Sequence, residues 1–256
     1  MTASTPSTEH FEAVVTDRVV EEPWALEHVR PGERVLDVGS ATTRFLGALP
    51  SSCRVYAIDL RPTPRQPGLG ILRGDVMRAP FRPGSFDTIT CISTIEHIGL
   101  DVYGQGPDLF GDEVVMRHLR RLLRPGGRLL LTAPYGKRSV SAWLRVYDRR
   151  SFARLARGFC VLSVRYYRRE GDSFVACAPG ELRDAEFDYT DVRSGGVVLA
   201  ELTPGAALTF ALARLSLRLR RLLRAITGRR PHWRDPWSGE PAADWLKRRR
   251  DAGEQG

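Results

Sequence analysis

Cysteine is scarce and scattered. The four residues Cys53, Cys91, Cys160 and Cys177 form no C-x-x-C pair and have no histidine at ligand spacing, which excludes a disulfide scaffold and the common zinc modules. They read as buried, reduced thiols of a cytoplasmic protein. Long hydrophobic runs are missing as well. No stretch approaches the ~20 apolar residues that span a bilayer. The first ten residues are small and polar, without a basic segment leading into an apolar one, so they read as a disordered leader and not as a secretory signal. No internal repeat is present. What remains, 42% hydrophobic and 27% charged residues over 256 positions, suits a soluble domain with an appendage and excludes collagen-like or wholly disordered chains.

Acidic charge is what the C-terminal fifth lacks. From position 206 to 256 twelve basic residues face five acids, so this tail carries +7 of the net +9. The body is nearly neutral and the tail is a polycation, which places any basic partner surface on the tail.

Between the two, the pattern first shows helical spacing over 11–29 (Phe11, Val14, Val15, Val19, Trp24). It then changes to short apolar runs bounded by turn residues. Strands are expected at 34–38, 54–58, 71–73, 86–92 and 128–132. A helix over 112–123 precedes the last of these and is stopped by Arg124-Pro125-Gly126-Gly127. Strands alternating with helices predict a doubly wound, mostly parallel α/β sheet. Further strands at 160–167, 173–177 and 197–202, with only a short helix over 149–157 before them, predict an antiparallel edge. The turn Thr203-Pro204-Gly205 closes a domain of residues 11–205.

In such a sheet, ligands lie beyond the carboxyl ends of the strands. Three of the first four strands finish at or beside an aspartate: Asp37, Asp59 and Asp75. An acid after the second strand is placed to take both hydroxyls of a ribose. A nicotinamide dinucleotide would want three glycines in the first loop, so that backbone and helix terminus approach the pyrophosphate. The loop reads Gly39-Ser40-Ala41-Thr42-Thr43-Arg44, with one. Three carboxylates repel a pyrophosphate and favour a nucleoside bearing positive charge, which points to a sulfonium such as S-adenosylmethionine.

The stretches Val35-Leu36-Asp37-Val38-Gly39-Ser40, Val55-Tyr56-Ala57-Ile58-Asp59, Gly74-Asp75-Val76, Ser85-Phe86-Asp87, Ser93-Thr94-Ile95-Glu96-His97-Ile98-Gly99 and Leu122-Leu123-Arg124-Pro125-Gly126-Gly127-Arg128-Leu129 follow one another in an order that resembles the class I S-adenosylmethionine-dependent methyltransferases acting on small molecules. The resemblance covers residues 20–205. It implies that Asp37, Gly39 and Ser40 line the methionine portion, that Asp59 holds the ribose with Leu60 beside the adenine, that Asp75 and Val76 meet the adenine edge, and that Ser93 and Thr94 flank the methyl. Ala41 and Thr43 stand where the family usually has glycine. A β-branched residue resists φ > 0, so either the loop is re-routed or affinity is lowered.

Methyl transfer from a sulfonium is a direct displacement, in which the protein aligns the nucleophile and removes its proton. His97 is the candidate base, since imidazole titrates near working pH, and Glu96 the group that orients it. A helix-capping or structural His97 is the competing reading. Tyr103 and Tyr135 are candidates for the acceptor pocket, or are packed loop aromatics. The fourth strand is followed neither by Asn/Asp-Pro-Pro-Tyr nor by Pro-Cys, which excludes amide or base amino methylation and pyrimidine C5 chemistry. No acid cluster suggests a magnesium site, so no metal is expected. A small-molecule hydroxyl is the best remaining acceptor, with an amine or a carboxylate as the alternatives. Two other classes stay open: an RNA-modifying enzyme using the arginine tail with Trp233, Trp237 and Trp245, and a binding module that keeps the fold without the activity.

On a helical wheel over 206–227, Leu212, Leu215, Leu219, Leu222, Leu223 and Ile226 fall within about 60° of one line, opposite Arg214, Arg218, Arg220, Arg221 and Arg224. The pattern predicts a basic amphipathic helix that packs on the domain, pairs with a second copy of the chain, or attaches peripherally to the inner face of the membrane. Sedimentation with anionic vesicles separates these readings. Attachment predicts that the full chain pellets and a chain ending at Gly205 does not. Equal recovery in the supernatant contradicts attachment.

Overall fold

The computed structural model describes residues 16–104, 106–190 and 192–205. The leader and the basic segment 206–256, with its expected helix, lie outside the described residues.

Eight strands form one sheet: β1 (Arg34–Val38), β2 (Arg54–Asp59), β3 (Leu69–Arg73), β4 (Phe86–Cys91), β5 (Leu123–Pro134), β6 (Phe159–Glu170), β7 (Ser173–Ala176) and β8 (Gly196–Pro204). Their spatial order is β3-β2-β1-β4-β5-β8-β6-β7. The first five run parallel, and β8, β6 and β7 add antiparallel neighbours. The order reverses at β1/β4, so a crevice opens there beyond the carboxyl ends of the strands.

Along β1, Val35 turns to one core cluster and Leu36 and Val38 to the other, the period-2 alternation of a strand buried on both faces. Helix α1 (Arg18–His28) lays Trp24 and Ala25 on the first face, beside Phe45, Leu46 and Leu49. Helix α2 (Gly111–Leu122) covers the other with Val115, Met116, Leu119 and Leu122, an i, i+4 stripe. It is joined there by Phe152 and Leu155 of α3 (Arg149–Leu155), whose start is capped by Asp148 and Ser151.

The expected alternation of strands and helices holds in the parallel half only at α2. The β1–β2 and β3–β4 crossovers carry short 3₁₀ turns at 40–42, 45–48 and 76–78. Pro50, Pro62, Pro64, Pro67, Pro80 and Pro83 punctuate these segments and the β2–β3 connection, and proline in a helix interior removes a hydrogen bond and clashes with the preceding turn. The strand expected at 128–132 begins earlier, at Leu123, directly after α2. Two small ribbons, 139–140 with 145–146 and 187–188 with 193–194, lie between β5 and β8. All four cysteines are free thiols, but only Cys91 is fully buried, so the expectation of four buried thiols is corrected.

At the amino ends of the central strands a buried arginine ties distant segments together. Arg128 of β5, 5% exposed, pairs with Glu33 at 2.8 Å and with Glu201 of β8 at 3.0 Å, and reaches Thr88 of β4 at 3.2 Å. Replacing Arg128 with Met leaves two partly buried carboxylates facing each other without a cation. The expected loss is about 3–5 kcal/mol in urea unfolding, and a loss below about 1 kcal/mol contradicts this role.

Candidate functional site

The chain leaves β1 through Gly39 at φ +87°, where the space of a Cβ is already filled by the side chain of Thr94. Glycine is required here on both counts. The re-routing that Ala41 and Thr43 demand is then simple. Ala41 lies in the 3₁₀ turn, Thr43 has φ −74°, and neither takes a positive φ. The turn is held from the side, because the backbone N–H of Ala41 donates to Asp59 Oδ2 at 2.9 Å. The other oxygen of Asp59 accepts from the N–H of Arg61 at 2.7 Å.

Residues from the carboxyl ends of the five parallel strands meet in a cavity of about 1020 Å³, roomy enough for two small ligands by the usual range of about 300–1,000 Å³ for one site. Gly39 and Thr42 border it after β1, Asp59 and Leu60 after β2, and Asp75 and Val76 after β3. Ser93, Thr94, Glu96 and His97 border it after β4. Asp37 and Ser40, expected against the methionine portion, sit behind this wall, at 0% and 1% exposure. Thr90 donates to Asp37 at 2.5 Å, and burial still pushes its carboxyl up to about 6. Tyr103 borders the cavity with the Arg61 guanidinium over its ring. Tyr135 does not: it is 4% exposed and packs on Phe152 and Tyr166 in the core, the packed-aromatic reading of the two left open by the sequence.

His97 is oriented by a different group from the one expected. Its Nδ1 lies 2.6 Å from the carbonyl of Trp143, which can only accept, so Nδ1 carries the proton and Nε2 presents its lone pair. Glu96 Oε1 is 3.9 Å from Nε2, beyond hydrogen-bond length. Burial lowers the imidazole to about 4 and holds the Glu96 carboxyl well above the ordinary range. Arg145 donates to the carbonyl of Ile98, and the hydroxyl of Tyr147, 2.9 Å from Asp112 of α2, also lies 3.4 Å from the carbonyl of Ile95. The segment carrying Glu96 and His97 is thereby pinned from the 139–146 ribbon and from the segment that follows it.

Helix α1 supplies what the sequence reading missed. Its apolar stripe was legible, but Arg18 and Glu22 of the same helix border the cavity, and Glu21 is buried behind them. Arg18 donates to Thr42 at 3.1 Å and pairs with Glu22 at 3.4 Å. Glu21, 0% exposed, accepts from Ser93 Oγ at 2.7 and 2.9 Å, and Ser93 is held at φ +43°. Burial first, then the charge of Asp17, raises Glu21 to about 8. Trp143 and Phe187, which border the cavity beyond β5, lie in irregular segments where no periodicity marks them.

Residues 36–131 match the family model described as a methyltransferase domain. These residues, fewer than half of the chain, are similar to the class I S-adenosylmethionine-dependent methyltransferases. S-adenosylmethionine is the methyl donor of this family. Among solved structures, the methyltransferase fold of this chain is similar to N-methyltransferase NodS from Bradyrhizobium japonicum in complex with S-adenosyl-l-homocysteine (TM-score 0.50, 15% identity, 74% of this chain and 87% of that one). It is also similar to a protein from Pyrococcus horikoshii (TM-score 0.51, 14% identity, 78% and 100%). Curated relatives include a demethylmenaquinone methyltransferase from Beutenbergia cavernae (31% identical over 109 residues, 40% of this chain and 41% of that one). Another is a ubiquinone biosynthesis O-methyltransferase from Xanthomonas euvesicatoria (34% over 132 residues, 43% and 48%). The chain spans less than two thirds of the length of these relatives.

The methyltransferase domain therefore carries a testable electrostatic signature. A carboxyl raised from 4.5 to about 8 on folding binds its proton more tightly in the native state, so its contribution to stability falls as pH rises through that window. Glu21→Gln keeps the acceptor for Ser93 and removes the ionisation. The variant is expected to flatten the decline of stability between pH 4.5 and 8, read from urea midpoints. A slope equal to that of the parent chain contradicts the placement of Glu21.

Proposed function

We propose that the chain transfers a methyl group from S-adenosylmethionine to a hydroxyl of a small-molecule acceptor. The observation that carries this reading is a single cavity joining the acids at the ends of β2 and β3 to the free Nε2 of His97. The residues fit the donor. Gly39 presents backbone to the cavity, and Asp59 is buried at the β2 end, with acceptor capacity left after the N–H groups of Ala41 and Arg61 and the Arg61 side chain at 3.4 Å. Asp59 would hold the ribose hydroxyls, Leu60, Asp75 and Val76 the adenine, Gly39 the methionine portion, and Ser93 and Thr94 the region of the methyl. Arg18, beside the turn, supplies the cation that the carboxylate of the methionine end requires, and Glu22 and Asp17 the anions for its ammonium.

When bound, the donor supplies an electrophilic methyl carbon. The protein holds the acceptor oxygen near Nε2 of His97, which takes the proton, while Trp143 keeps the ring in the tautomer able to do so. Burial keeps His97 neutral at physiological pH. The curated relatives support a small-molecule acceptor over RNA, and one of them is named an O-methyltransferase. Peripheral attachment through 206–227 would bring the site to a lipid-linked acceptor.

S-adenosylhomocysteine is expected to bind with micromolar affinity by calorimetry, and NADH is not. Binding of NADH without the nucleoside thioether contradicts the reading. Asp59→Ala is expected to weaken binding by about 1.5–3 kcal/mol, the value of hydrogen bonds to a charged group. His97→Ala is expected to lower turnover about 10²–10⁴-fold with the cofactor affinity unchanged. Near-full turnover makes His97 structural.

A further inference from the structure

The cavity changes character along its length. Over the ends of β1, β2 and β3 its wall is charged, with Arg18, Glu22, Asp59, Arg61 and Asp75. Beyond β5 the described residues that border it are Pro134, Trp143, Leu144, Phe187 and Val192, with His97 at the boundary and the acids Glu96 and Asp108 on the β4 side. None of those five bears a charge. The indole of Trp143 and the ring of Phe187 meet edge to face, with centroids 5.7 Å apart and planes at 76°. The imidazole of His97 lies 5.3 Å from the indole at 42°. The three rings form a corner, and its two carbocyclic sides come from different segments between β5 and β8. The indole is also fixed at its backbone, because its carbonyl receives the Nδ1–H of His97.

We propose that this corner selects the acceptor by its ring: an uncharged, planar aromatic compound that stacks against Trp143 and Phe187 and turns its hydroxyl toward Nε2 of His97. The inference rests on the methyl-donor reading above and deepens it. A carboxylate or phosphate entering this half loses its hydration and finds no cation among these five residues to replace it. An aliphatic alcohol is tolerated but forgoes the ring–ring contact. A nucleic-acid strand needs cations along its phosphates, and the described residues at this end of the cavity offer none. An ammonium is the remaining competitor, since an aromatic face attracts a cation, and the test includes it.

The test uses the full chain saturated with S-adenosylhomocysteine. Four probes are titrated into it by calorimetry: 2-naphthol, 2-naphthoate, 2-naphthylmethylammonium and cyclohexanol. The expected result is that 2-naphthol binds at least about ten-fold more tightly than each of the others. Trp143→Leu and Phe187→Leu are each expected to weaken 2-naphthol about five-fold, the size of one aromatic pair, and to leave the affinity for S-adenosylhomocysteine unchanged. Unchanged nucleoside affinity also shows that each variant is folded, and Trp143→Phe is expected to keep most of the naphthol affinity. Equal or tighter binding of the anion, the cation or the aliphatic alcohol overturns the proposal. So does indifference of 2-naphthol to both leucine variants, or its failure to bind beside bound nucleoside. Failure of S-adenosylhomocysteine itself to bind overturns the donor reading, a separate and recognisable outcome.

Discussion

The site is shaped by the burial of carboxylates. Glu21, Asp37 and Glu96 are at 0–2% exposure within one end of the sheet, and an ionised carboxyl in such a place costs more than its hydrogen bonds return unless a cation or a proton neutralises it. Protons do part of this work, since burial raises all three groups. Arg18 does another part, lying within reach of Asp17, Glu21, Glu22 and Asp37. Such an arrangement is costly for an apo fold and is suited to a ligand that brings positive charge of its own. Functional sites are where perturbed ionisation of this kind gathers.

The geometry that makes burial possible starts at one turn. Gly39 at positive φ lets the chain double back at the end of β1, and Thr94, from the end of β4, fills the space the missing Cβ leaves. The ends of β1 and β4 are thereby locked together at the point where the strand order reverses. Ser93, also at positive φ, is held by Glu21 from α1 and by Thr132 from β5. Four elements thus converge within a few residues, which is why the segment carrying Glu96 and His97 faces the cavity and not solvent.

Much of this was legible in the chain. Runs such as Val35-Leu36-Asp37-Val38 and Phe86 to Cys91 are bounded by turn residues and rich in β-formers, and they appear as parallel strands in the switched order the pattern implies. The cavity-facing aspartates Asp59 and Asp75 followed from strand ends alone. Asp37 lies behind the cavity wall, because a strand's last residues alternate faces and nothing in the sequence says which side the following turn covers. Tyr135 is the packed aromatic that the sequence left as one of two readings. The crossover helices were over-read, although the prolines that forbid them are plain in the sequence. Arg18, Trp143 and Phe187 required the fold itself: one sits on the polar side of a helix whose apolar side carried the signal, and the others on ribbons that acquire meaning only when β5 and β8 pair.

The donor nucleoside is proposed to bind across the ends of β1, β2 and β4 beneath α1. Amide hydrogen exchange with and without saturating S-adenosylhomocysteine tests it directly. The account predicts added protection in peptides covering 16–28, 39–44, 59–61 and 93–98, with β6 and β7 unchanged. Protection confined to the antiparallel edge, or an unchanged pattern at a concentration where calorimetry shows binding, would contradict it.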